Sequence, residues 1–386
     1  MSTTRRFVLA AGGAALGLVG AGAVFAVTRV PKNALAPWQA LDAPEADIRL
    51  DAFRHAILAP NPHNRQPWTI ELVGDSDALI RCDLDKRLPE TDPFDRQITI
   101  GFGCFLELAR IAAAQRGHRV DVEPFPEGAT EAPQRLDRRP IARLRFVRDE
   151  GVRPDGLHAA ITTRRSSKVP FDTTRAVSAQ TIDAVRAAAG DAQLGFTTRP
   201  EHVAALRGLT WDAWMIEART THTFKESVDL MRIGKAEIEA NPDGIALRGA
   251  TIEALALAGL LTRASMLDPA GTGFRAGVDK YRPIIDTAAG YAWLTTPGNT
   301  RRDQLDAGRR YVRFNLAANA AGLAVHPVSQ ALQEFAEVRS VHARMRAALG
   351  VAAADTPQML ARIGYAESVE PAPRWPLQTK VLRTRA

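Results

Sequence analysis

The sequence predicts an α+β body: two related halves in one chain, the second carrying a helical insertion. Three observations lead there. Strand-like alternation and helical periodicity interleave along the chain. The spacing G-x8-A-A-x3-G-x2-V occurs twice: Gly103, Ala112, Ala113, Gly117 and Val120 recur 205 positions later as Gly308, Ala317, Ala318, Gly322 and Val325. The residues from 202 to about 291 read mostly as helix and have no counterpart in the first copy.

Composition bounds the rest. With 386 residues, 46% hydrophobic and 24% charged, the chain is neither disordered nor collagenous nor a polytopic membrane protein. It is long enough for two domains or one elaborated domain. The net charge of +7 comes from dispersed Lys and Arg. That argues against a nucleic-acid tail and leaves room for a site that takes a small anion. Cys82 and Cys104 are too few for a disulfide scaffold and read as core residues; the eight histidines lack metal-ligand spacing.

Taken in order, residues 1–30 read as an export signal of twin-arginine type. Arg5-Arg6 precedes an uncharged run from Phe7 to Thr28 that Arg29 closes, and Val24-Phe25-Ala26 could be cleaved. An uncleaved anchor is the alternative, because ~20 apolar residues can cross a bilayer. Residues 31–47 read as an exposed linker, 48–150 as the first repeat and 151–386 as the second. Strands are expected at 69–73, 79–83, 119–125 and 142–147. The two G-x8-A-A segments read as helices whose small residues allow close approach, a central pair in a pseudo-symmetric body. Residues 202–219 form an amphipathic helix with Leu206, Trp211 and Trp214, and Asn241-Pro242-Asp243-Gly244 a turn.

No H-E-x-x-H, C-x-x-C, G-x-S-x-G or Walker loop is present, so no catalytic side chain and no metal site is assigned. Three segments stand out chemically. In Ala59-Pro60-Asn61-Pro62-His63-Asn64-Arg65-Gln66-Pro67-Trp68, prolines stiffen a loop whose amides suit the edge of a flat heteroaromatic, or satisfy the loop's own backbone. Thr163-Arg164-Arg165-Ser166-Ser167-Lys168-Val169-Pro170-Phe171 concentrates cations and hydroxyls suited to phosphate. Arg362-Ile363-Gly364-Tyr365 precedes a Pro-rich tail containing Arg374.

Together these segments resemble the nitroreductase family of flavoproteins, with their R-R-S-x-K-like, N-x-Q-P-W and G-Y elements. The first repeat holds N-x-Q-P-W and the second holds R-R-S. The chain therefore resembles the Acg-like branch, in which fused repeats mimic the family's homodimer and an insertion lies over the site. Asp92-Pro93 with Arg96, residues 228–232 and His326-Pro327-Val328-Ser329-Gln330 add to that likeness.

The resemblance implies a nitroreductase-like fold duplicated in one chain, a monomeric pseudo-dimer whose helical insertion acts as a lid. It implies one FMN between the repeats. Arg164, Arg165, Ser166, Lys168 and Arg374 would meet the phosphate and ribityl chain, and Pro60, Asn61 and Asn64 the ring. Pro327, Val328, Ser329 and Gln330 would form the turn at its reactive edge. It implies an oxidoreductase that moves hydride from NAD(P)H or another reductant to a small electron-poor acceptor. The export machinery would be a further partner, with the protein periplasmic or anchored on the outer side of the inner membrane. A flavin-sequestering protein with little turnover, or a member that binds no flavin, is also open.

Overall fold

A computed structural model describes residues 28–41 and 44–382. Nearly all of the expected signal, residues 1–27, lies outside them. In chain order the helices are α1 (Lys32–Leu35), α2 (Ile48–Ala56), α3 (Arg96–Ala114), α4 (Ala179–Ala189), α5 (Pro200–Arg219), α6 (Thr221–Asp229), α7 (Gly234–Ala240), α8 (Ala250–Leu257), α9 (Arg263–Leu267), α10 (Thr272–Asp286), α11 (Arg301–Ala320) and α12 (Arg339–Ala348). The strands are β1 (Trp68–Val73), β2 (Asp77–Cys82), β3 (His118–Pro124), β4 (Ala142–Arg148), β5 (Gly195–Thr197), β6 (Met231–Ile233), β7 (Ile245–Leu247), β8 (Gly290–Thr296), β9 (Ala324–Pro327) and β10 (Thr356–Gly364).

Two four-stranded antiparallel sheets form, in the orders β1-β2-β4-β3 and β5-β8-β10-β9. Each follows the same course: helix, strand, strand, long helix, strand, strand. The four strands expected in the first half appear within two residues of their bounds. The α+β expectation holds.

The long helices α3 and α11 lie between the sheets, and their start signals are local. Asp92 accepts the N–H groups of Gln97 and Ile98 at 3.0 and 2.9 Å, and Thr300 with Asp303 forms a capping box. Where the helices cross, a Cβ on Gly103 would stand 2.1 Å from the Leu305 carbonyl oxygen. One on Gly308 would stand 2.0 Å from that of Ile100. The two contacts mirror one another at the same 205-residue offset. Only glycine lets the backbones meet this closely.

The insertion runs from α5 to α10, between β5 and β8, and adds a two-stranded parallel ribbon of β6 and β7 that helical periodicity did not announce. Residues 271–277, whose glycines superficially suggest a dinucleotide loop, form the N-terminal turns of α10. On one side α5 buries Val203, Leu206, Leu209 and Ala213 against Val328, Leu332, Phe335 and Met345 of the second half. On the other side the 241–244 turn plugs into the first half. The Pro242 carbonyl accepts from Gln66 Nε2 at 2.7 Å, and the Gly244 N–H donates to the Asn64 carbonyl. Asp243, with a side chain 1% exposed, pairs with Arg65, Lys86 and Arg232. Burial works to raise its carboxyl pKa, but Lys86, Arg232 and Arg65 outweigh that and hold it below the usual range.

Residues 31–41 correct the linker expectation. Ala34, Leu35 and Trp38 are buried, and the α1 N–H groups of Asn33 and Ala34 donate to Glu239 of α7. The tail holds Trp38 in place: Ala372 O accepts its indole N–H and the Arg374 guanidinium lies over its ring. At the other end, Ile70 of β1 pairs with Val381, so the C-terminal segment covers an edge of the first sheet.

A paired glycine test follows. Gly308→Ala must push backbone against backbone and should cost about 3 kcal/mol in urea unfolding, at the upper end of overpacking. Gly208→Ala, in an open position of α5, should instead stabilise by roughly 0.5–1 kcal/mol. Equal responses would contradict the crossing geometry.

Candidate functional site

The fold brings the three singled-out segments together. Arg164 is 3% exposed and donates Nη2 to the Leu58 carbonyl (3.0 Å) and Nη1 to Asn315 Oδ1 (3.3 Å). Arg374 reaches the same place from the tail. Its Nε donates to Ile57 O, its Nη2 to Leu58 O and Ala59 O, and its Nη1 to Asn64 Oδ1 and Pro373 O. All five of its donors are thereby occupied, so Arg374 caps the C-terminal end of α2 and clasps the tail to the first half.

Trp38 lies beneath these groups. The guanidinium carbons of Arg165, Arg374 and Arg164 stand 4.9, 5.2 and 5.9 Å from its ring, and its indole N–H donates to Ala372 O. Arg248 of the insertion joins them, donating to Pro371 O at 2.9 Å. Burial lowers the pKa of all four guanidinium groups, that of Arg164 to about 10. Arg164 and Arg165 depress Arg374 further, and Glu370 partly restores Arg165 and Arg248. Glu370 is exposed. Of these four cations from three parts of the chain, only Arg165 and Arg248 feel a carboxylate, that of Glu370, an arrangement suited to a bound anion. The cluster is also where a buried amide nitrogen, Asn315 Nδ2, has no protein partner.

A second cluster adjoins the same element. Lys168 keeps an accessible side chain, yet protein encloses it deeply enough to push its ammonium pKa down, with Glu217 opposing. The two facts together describe a group lining a hollow. Its neighbours come from every part of the chain. Burial, then Lys168 and Arg65, takes His63 of the first half to about 3. Burial, Arg362 and Lys168 hold His326 neutral well below its usual range. Glu217 of α5 is 8% exposed and accepts from Ser227 Oγ at 3.2 Å. Burial lifts its carboxyl to about 7 against the pull of Gln333, Ser227 and Lys168. The Tyr281 hydroxyl of α10 meets the Gln330 side chain, and its pKa is raised by burial.

Arg362 organises the floor. It donates Nε to His326 Nδ1 (2.9 Å) and Nη2 to the carbonyls of Ser167 and Val169, lies 3.7 Å over Phe171, and leaves Nη1 without a protein partner. A Cβ on Gly364 would strike Phe171, which explains glycine after Arg362-Ile363. Three stacked rings extend from the hollow into the insertion: Tyr281 lies 4.5 Å from Trp214, and Trp214 5.3 Å from Trp211.

The 60–68 loop is strained. His63, Asn64 and Gln66 adopt φ of 45°, 52° and 50°, left-handed values that cost non-glycine residues roughly 1–3 kcal/mol each. Such strain persists where surroundings dictate it, and here they do. Asn61 donates to Ala59 O and accepts from Gln66 N, Asn64 holds Arg374, and Gln66 takes the Trp375 N–H. Asn61 and Asn64 are therefore engaged within the protein, and Pro60 flanks them. In the 327–330 turn, Val328 and Ser329 are buried against Leu360, whereas Pro327 and Gln330 are partly accessible. Ser166 is partly accessible beside Lys168. Sequence reasoning missed Trp38, Glu217, Arg248 and Tyr281. The net charge of +7 was the one signal available.

No family model matches the chain. A Mycobacterium tuberculosis protein with the provisional name NAD(P)H nitroreductase acg is 34% identical over 126 residues, 32% of this chain and 36% of that protein. The chain thus matches these curated relatives over about a third of their length. Another from the same organism, provisionally named NAD(P)H nitroreductase Rv3131, is 26% identical over 344 residues, 86% of this chain and 90% of the relative. Among solved structures, the FMN-dependent nitroreductase NfnB of Mycobacterium smegmatis, in complex with NADPH, aligns with a TM-score of 0.37 and 20% identity over 58% of this chain and 96% of its own.

Glu217 gives a test of the hollow. Its native pKa lies above the unfolded value, so its contribution to stability is intact below about 4.5 and lost as pH climbs through about 7. Glu217→Gln should therefore gain up to about 3 kcal/mol in urea unfolding at pH 8 and little at pH 4. An equal effect at both pH values would place this carboxyl in water.

Proposed function

We propose that the chain is an FMN-dependent oxidoreductase of the nitroreductase type, a fused pseudo-dimer with one flavin site between its halves. The observation that carries this is the meeting of Arg164 and Arg165 over Trp38, with Arg248 near Arg165 and Arg374 clasping the tail beside them, next to a hollow lined from both halves and the insertion. The residues fit the group. A phosphate would find guanidinium donors and Asn315 Nδ2, and a ring with carbonyl and N–H edges would find Lys168, the free Nη1 of Arg362 and Gln330. The likeness to proteins named as NAD(P)H nitroreductases supports the same reading.

Bound flavin would supply hydride acceptance from NAD(P)H and donation to a small electron-poor acceptor. The protein's part is to bind, orient and tune. Lys168 and Arg362 keep positive charge beside the hollow, which favours an electron-rich ligand there. Glu217 holds a proton loosely near neutral pH and can give or take one at the edge of the site. Trp214 and Tyr281 wall the hollow against water. Export of the folded, loaded protein by the twin-arginine route completes the proposal.

The docking of the insertion favours a second reading, a flavin store with little turnover. Asp243 fixes it to the first half. His222 of α6 bridges Glu90 and Glu337 at 2.7 and 3.3 Å, tying it to both halves. A roof held at so many points opens rarely.

Purified protein should carry about one FMN per chain, and two would refute the shared site. Arg164→Ala should weaken FMN about tenfold to a hundredfold, at 1.5–3 kcal/mol per charge-assisted bond, while riboflavin binding changes little. Equal losses would move Arg164 away from the phosphate. Asp243→Asn leaves three cations facing one another and should speed hydrogen exchange across 231–247. Faster NAD(P)H oxidation in that variant marks a gated enzyme; flavin that stays oxidised in both forms marks the store.

A further inference from the structure

Among the described residues five large hydrophobic side chains are markedly exposed: Val30, Leu255, Leu257, Leu260 and Leu382. Three of them fall within six positions, in the last turn of α8 and the turn after it. Leu257 is 72% and Leu260 63% exposed. Between residues 250 and 261 the one ionisable group is Glu253, and it faces inward, 7% exposed, accepting the Lys235 N–H. The outer side of this tip therefore has no charge at all. Scattered exposed leucines are ordinary on a protein surface, but an uncharged protrusion built of them is not.

Its position says what covers it. Lys235, whose backbone N–H binds Glu253 of α8, sends its Nζ to the carbonyl of Thr28 at 3.0 Å. Thr28 is the last residue of the uncharged run that begins at Phe7, which is long enough to cross a bilayer. Val30, the fourth exposed residue, follows after Arg29, and α1 behind it is pinned to α7 through Glu239. The chain's apolar segment and its apolar protrusion thus join the fold through one shared residue. Exposed Lys32 at the same corner suits anionic headgroups. The one described helix long and apolar enough to span a membrane, α3, is core and offers no such surface.

We propose that Leu255, Leu257 and Leu260 form a lipid-contacting foot, which rests in the interfacial layer of the bilayer that holds the N-terminal segment. Alone, three leucines bind a membrane weakly. On a chain already tethered a few residues away, the second contact forms at high effective concentration and fixes the orientation of the body. The insertion then faces the lipid. This inference uses nothing from the flavin reading and stands or falls separately.

The full chain in phosphatidylcholine–phosphatidylglycerol vesicles provides the test. Cys82 and Cys104 are buried, so an environment-sensitive fluorophore can be placed on Leu257→Cys alone, and on Asp183→Cys of α4, with a side chain 73% exposed, as the control. Doxyl groups on lipid acyl chains should quench the probe at 257 strongly and the probe at 183 hardly at all. Emission at 257 unaffected by the lipid quencher overturns the proposal. So does a blue shift there that ignores the quencher and grows with protein concentration, which would mean a second copy, or one that persists in detergent without vesicles, which would mean the chain's own N-terminal segment.

Discussion

Everything else in the molecule depends on the backbone contact between Gly103 and Gly308. It lets α3 and α11 approach closely enough for the two sheets to share one core, in which Phe53, Phe105, Val312 and Phe314 are buried. It also sets the two halves in fixed register. That register carries the R-R-S element of the second half to the carbonyls at the end of α2 in the first. A larger residue at either position would separate the elements whose meeting defines the site.

The second constraint is charge. Arg96, Arg301, Arg362 and Arg374 are almost entirely buried, and each gives two or more hydrogen bonds to backbone carbonyls, Arg96 alone among them also pairing with a carboxylate, that of Glu334. Carbonyl capping satisfies donors without cancelling charge. Around Trp38 the excess is greatest, and there it coincides with a strained loop and an unpartnered amide. A core built only for stability would avoid that combination, since a buried cation costs more than the apolar residue it displaces. The arrangement is understandable if an anion completes it.

Much of this was legible in the sequence. The first-half strands followed from alternation, the helix pair from its repeated small residues, and the 241–244 turn from its Asn-Pro-Asp-Gly. Arg164 and the 60–68 loop stood out because several unusual residues lay together. Trp38, Glu217 and Arg248 did not, because each is an ordinary residue in an ordinary local pattern, and Trp38 and Arg248 find partners more than 100 positions away. Trp38 sat in a stretch whose composition suggested a linker until the tail's Ala372 gave its indole a partner. Arg374 shows the opposite limit: its motif was noticed, but only the fold reveals that its donors hold α2 and the tail.

Photolabelling tests the shared site most directly. An azido derivative of FMN, irradiated on the folded chain and mapped by peptide mass spectrometry, should mark residues 60–66 of the first half together with 326–333 of the second or 211–217 of the insertion. Labelling competed away by FMN and spread over both halves is the outcome the account predicts. Adducts confined to one half would contradict it.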